Sequence, residues 1–125
     1  MTIDYSCMPK ILIVDDAEFS RGRMTKVLGN AGYSVIEAGN GFEAVSRYCD
    51  EKPDVVLMDI TMPEMDGISA LREIRSVDPE ARVVMLTRMG QETIVLEALE
   101  AGAKDYLVSP FEADRVLDAL SKVLL

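Results

Sequence analysis

Four short apolar runs punctuate the chain: Ile11-Leu12-Ile13-Val14, Val55-Val56-Leu57-Met58, Val83-Val84-Met85-Leu86 and Tyr106-Leu107-Val108. Each is nearly continuous, without the polar alternation of a strand that faces water on one side. Such runs read as strands buried on both faces, and strands of that kind belong to parallel sheets. A fifth stretch, Ser34-Val35-Ile36-Glu37-Ala38, is mixed in character and reads as an edge strand.

Amphipathic segments fill the gaps. Met24, Val27, Leu28 and Ala31 follow helical spacing, with Gly32 placed to end that helix. Phe42, Val45, Tyr48 and Cys49 mark a second helix after Asn40-Gly41, with Cys49 expected to be half-buried. Ile68, Leu71 and Ile74 mark a third, capped by Asp66 and stopped before Pro79. Ile94, Val95, Ala98 and Leu99 mark a fourth, and Val116, Leu117, Leu120, Val123 and Leu124 a fifth. The count is (βα)5, an α/β fold with a doubly wound parallel five-stranded sheet and helices on both faces. The strand order adopted is 2-1-3-4-5, a common arrangement for such sheets.

The chemistry collects where these strands end. The first ends at Asp15-Asp16, the third at Asp59 and the fourth at Thr87, and the fifth runs into Ser109-Pro110. In a parallel sheet all these ends lie on one edge, where ligands bind at the point of reversed strand order. Taken singly, Asp15-Asp16 reads as a helix N-cap and Asp59 as a strand-end carboxylate. Taken together, they read as a cluster of carboxylates that repel one another and raise each other's pKa values. Mg²⁺, a hard cation that takes oxygen ligands, relieves that repulsion and offsets the charge of an incoming phosphoryl group. A carboxylate is also a competent nucleophile toward phosphorus, and the Thr87 hydroxyl can donate to a phosphoryl oxygen.

Composition narrows the alternatives. The chain has 125 residues, enough for one domain with its own core, and it contains no His. That excludes a phosphohistidine on this chain and a Ser-His-Asp triad, and nearly excludes ordinary zinc sites. A net charge of −9 argues against nucleic-acid binding. No apolar run reaches the length of a membrane span, and the first residues lack the pattern of a signal peptide, so a cytoplasmic protein is expected.

The motifs ILIVDD (Ile11–Asp16), VVLMDITMPEMDG (Val55–Gly67), MLT (Met85–Thr87) and AGAKDYLVSPF (Ala101–Phe111) resemble those of the response-regulator receiver family. The resemblance spans nearly the whole chain. The DITMPEMDG and MGQE stretches are most similar to single-domain, chemotaxis-type members of the CheY kind. It implies a flavodoxin/CheY-like fold, with residues 1–9 as an extension and residues 10–125 as the receiver domain. It further implies a two-component phosphorelay role, in which Asp59 accepts a phosphoryl group from a sensor histidine kinase in an Mg²⁺-dependent reaction. The chain then acts as a signalling switch rather than a turnover enzyme. Asp15, Asp16, Asp59 and the Thr61 backbone carbonyl match the metal ligands, Thr87 the switch hydroxyl and Tyr106 the switch aromatic. The face of helix four, strand five and helix five matches the surface that meets a downstream protein. The chain is then a monomer or a phosphorylation-dependent dimer.

Two positions depart from the family pattern. Ser109 stands where the family carries Lys, and Arg88 follows the switch hydroxyl where a small residue is usual. Replacing a charged donor by a neutral one in a closed site costs on the order of 1.5–3 kcal/mol of interaction. Arg88, with its rigid fork of donors, is the candidate compensating cation. The competing reading is a degenerate receiver, an interaction or dimerisation module that works without phosphorylation. A third reading, an aspartyl-nucleophile phosphatase, is weakened by Thr61, which stands where such enzymes carry a second Asp.

Overall fold

The structure is a computed structural model and describes residues 8–125 apart from residues 61, 63, 64 and 89. Five strands and five helices alternate: β1 (Lys10–Val14), α1 (Glu18–Asn30), β2 (Ser34–Ala38), α2 (Gly41–Glu51), β3 (Val55–Asp59), α3 (Gly67–Val77), β4 (Val83–Arg88), α4 (Glu92–Glu100), β5 (Asp105–Ser109) and α5 (Ala113–Leu124). All strand pairs are parallel, in the order β2-β1-β3-β4-β5.

The central strands sort their side chains with a period of two. Leu12, Val14, Val56, Met58, Val83 and Met85 face one core, which is closed by Ala44 and Tyr48 of α2, Leu71 and Ile74 of α3 and Val95 and Ala98 of α4. Ile11, Ile13, Val55, Leu57, Val84 and Leu86 face the other, closed by Leu28 of α1 and Val116 and Leu120 of α5. Every one of these twelve strand residues is buried. At roughly 1.5–3 kcal/mol per buried aliphatic side chain, these two layers dominate the folding free energy.

Two expectations need correction. The fourth apolar run, β5, is not buried on both faces: at its edge position Tyr106 and Val108 are about two-fifths exposed and only Leu107 of the three is buried. Among the described residues no strand pairs with the outer side of β5. In α2 the buried stripe is Gly41, Ala44 and Tyr48, so Phe42 and Cys49 face outward. The acidic pair does not cap α1: its N-cap is Ala17, whose N–H donates to Asp15 Oδ1 at 2.9 Å. Asp66 does cap α3, accepting from the Ser69 N–H at 2.8 Å. No helix among the described residues is long and apolar enough to cross a membrane.

Candidate functional site

The carboxylates reach one point because β1 and β3 are neighbours in register, Val14 beside Met58. Asp59 is the last residue of β3, and Asp15-Asp16 follow the last residue of β1. One carboxylate oxygen from each of Asp15, Asp16 and Asp59 lies within 4.8 Å of the others. Asp16 is exposed, whereas Asp15 and Asp59 are half-buried.

The backbone around the cluster is held from several sides. The Asp15 N–H donates to the Ala38 carbonyl at 3.2 Å, and the Ile60 N–H to the Leu86 carbonyl at 3.0 Å. Arg21, in the first turns of α1, donates through Nη1 to the Asp15 carbonyl at 2.6 Å and through Nε to Glu37 Oε1 of β2 at 2.9 Å. Gly67, the first residue of α3, packs directly behind Asp59: a methyl group there would run into the Asp59 carbonyl oxygen and the Ile60 Cα. The Gly67 N–H also donates to the Ile60 carbonyl at 2.9 Å.

Electrostatics follow from this crowding. Burial pushes the Asp15 carboxyl above its ordinary value of 3.8; the Ala17 N–H opposes that push, Asp16 adds to it, and Arg21 and Arg88 oppose it. Carboxylates held this way disfavour their own charge until a cation joins them. The donor set is all hard oxygen, and it suits Mg²⁺ rather than a thiophilic or imidazole-seeking metal.

A cleft of about 330 Å³ opens beside the cluster. Asp15, Asp59, Thr87, Arg88, Ser109 and the α1 residue Arg23 line it, over a floor that includes Ile13, Leu86 and Val116. Thr87 is 3% exposed, the buried polar side chain among the described residues. Its hydroxyl donates to Gln91 Oε1 at 3.0 Å, and the Arg88 N–H donates to the same oxygen at 3.1 Å. Arg88 and Ser109 are register partners on β4 and β5, so the exposed guanidinium and the serine stand side by side at the mouth.

The structure thus gathers Asp15, Asp16, Asp59, Thr87, Arg88 and Ser109 at one edge of the sheet. Tyr106 lies apart on β5, turned outward and 42% exposed. Thr61 lies outside the described residues. Sequence reasoning missed Arg21, Arg23 and Gln91. The position of Gln91, four residues past the buried hydroxyl, was the available signal, since a polar side chain there can fold back onto the strand end.

Comparison with known proteins places this fold in a family. The response regulator receiver domain family matches residues 11–121. The chain is 53% identical over 116 residues to the chemotaxis protein CheY of Bacillus subtilis, covering 92% of this chain and 97% of that one. It is 52% identical to CheY of Thermotoga maritima, covering 91% and 96%. Among solved structures, the CheX-CheY-BeF3-Mg²⁺ complex of Borrelia burgdorferi is similar at a TM-score of 0.90 and 38% identity, over 98% of this chain and 96% of that chain. With that family matched over residues 11–121 and relatives more than half identical across most of their length, the chain belongs to the response regulator receiver domain family.

Proposed function

We propose that residues 10–125 form a receiver that accepts a phosphoryl group on Asp59 from a phosphohistidine of a sensor histidine kinase, with residues 1–9 as an extension. The observation that carries this reading is the convergence of Asp15, Asp16 and Asp59 within 4.8 Å beside a cleft that also holds Thr87. An Asp59 carboxylate oxygen attacks phosphorus, the P–N bond breaks, and the imidazole leaves. Asp15, Asp16, Asp59 and the Thr61 carbonyl would hold Mg²⁺, which when bound supplies positive charge against the carboxylates and the phosphoryl oxygens.

The new group adds roughly −1.5 to −2 charge and fresh acceptor oxygens. Thr87 donates to one of them, and Tyr106 leaves its exposed position for the space that Thr87 vacates. Arg88, beside Ser109 at the mouth, supplies the cationic donor that Ser109 lacks. The outer face of α4, β5 and α5 then changes its affinity for a downstream protein, as a shift between two populated states. That face already presents Leu96, Leu99, Tyr106 and Val108 to solvent. The chain works in the cytoplasm as a signalling switch, and its only chemistry is to gain and lose its own phosphoryl group.

Incubation with Mg²⁺ and a small acyl phosphate tests the proposal. One base-labile phosphoryl group per chain is expected, lost in Asp59→Asn and reduced in Arg88→Ala. No label with any donor sinks it and leaves the phosphorylation-independent module. An unchanged yield in Arg88→Ala removes the compensating role of that residue alone.

A further inference from the structure

Gln91 makes a contact whose direction can be worked out atom by atom. Its Oε1 faces two groups, the Arg88 N–H at 3.1 Å and Thr87 Oγ1 at 3.0 Å. A backbone N–H can only donate, so the facing atom of the amide is its oxygen and not its nitrogen. That oxygen carries no hydrogen, so the Thr87 hydroxyl must be the donor. A threonine has one hydroxyl proton, and here it is committed toward α4. A second acceptor among the described residues, the Arg88 carbonyl, stands farther off at 3.4 Å.

We infer that Gln91 is a positioning residue, a latch that holds the Thr87 proton away from the Asp59 side of the cleft in the unphosphorylated protein. The inference rests on the reading of Asp59 and Thr87 given above and adds what sets the resting bias of that switch. A phosphoryl oxygen on Asp59 gains the Thr87 proton only by taking it from Gln91. Release is not prohibitive, because Oε1 keeps the Arg88 N–H when the hydroxyl departs, so no buried acceptor is stranded. One neutral hydrogen bond shifts such an equilibrium by roughly two- to tenfold.

The test uses the full chain and four variants: Gln91→Met, which keeps length and removes the acceptor, Gln91→Glu, Thr87→Val, and Thr87→Val combined with Gln91→Met. In the ligand-free protein, three-bond couplings at Thr87 report its side-chain rotamer. One rotamer is expected with Gln91 present and a mixture in Gln91→Met; an unchanged rotamer in Gln91→Met overturns the latch whether or not the protein can be phosphorylated. Affinity for beryllofluoride with Mg²⁺ is then measured by NMR titration. Gln91→Met is expected to bind two- to tenfold more tightly than the parent, and Gln91→Glu more weakly. The gain of Gln91→Met is expected to vanish in the Thr87→Val background. A gain that persists there, or no gain in the parent background, overturns the inference. Failure of the unsubstituted chain to bind beryllofluoride strikes the phosphoacceptor reading instead, and the rotamer measurement still decides the latch.

Discussion

At the scale of single residues, the surroundings of Asp15 act against its charge. Asp15 is held above its ordinary value of 3.8, mainly by burial and further by Asp16. A carboxyl whose folded pKa is raised contributes stability below its unfolded value and loses it as pH climbs through the folded one. At neutral pH the charged Asp15 carboxylate therefore works against the metal-free fold. Asp15→Asn is expected to raise the melting temperature of the metal-free protein by a few degrees and to abolish the extra stability that Mg²⁺ confers. Thermal denaturation with and without Mg²⁺ measures both, and a lowered melting temperature without metal contradicts the reading. The carboxylates and Thr87 were legible in the sequence because strand ends can be counted. Gln91 and Arg21 were not, because a side chain that folds back to cap a strand end leaves no trace in apolar periodicity.

At the scale of elements, the places where reading failed have common causes. The helical spacing of large apolar residues on α2 points to Phe42 and Cys49 because it leaves the small residues out. The helix buries Gly41, Ala44 and Tyr48 instead, and a side chain at Gly41 would collide with Met65 in the loop before α3. Tyr48 then reaches out of the core to donate to Asp78 Oδ2 at 2.6 Å, tying α2 to the C-cap of α3. Tyr48 holds Asp78 below its ordinary 3.8, while burial and Asp78 hold the phenol well above its usual 10.0. A depressed carboxyl contributes stability above its unfolded pKa and loses it as pH falls through the folded one. Tyr48→Phe is thus expected to cost about 0.5–1.5 kcal/mol at pH 7. In urea titrations the difference from the parent should narrow as pH falls below 3.8; a constant difference across that range contradicts the assignment. Gly67→Ala drives a methyl into the backbone behind Asp59. It is expected to destabilise by about 1–3 kcal/mol and to slow phosphoryl transfer, both read on the same purified variant. A folded variant with parental stability and rate would show that α3 does not set the position of Asp59.

At the scale of the whole molecule, the two-sided core explains why the fold was readable from four apolar runs. Alternate residues of β1, β3 and β4 serve opposite layers, so each strand must be apolar throughout. The same rule overstates the burial of β5, which has a similar run but, at the edge where the expected order puts it, turns Tyr106 and Val108 outward. Under the proposed function that exposure lets the edge respond, since a side chain at the surface can change position without breaking a core. By the same proposal, chemistry at Asp59 is felt at this edge even though Ser109 brings no charge to the cleft. The most direct measurement is a beryllofluoride and Mg²⁺ titration of the full chain followed by two-dimensional NMR, with Asp59→Asn as control. Saturable shifts are expected to spread from Asp59 through Thr87 to Tyr106 and the outer face of α4, and to be absent in the control. Shifts confined to the acidic cluster, or equal shifts in Asp59→Asn, would contradict it.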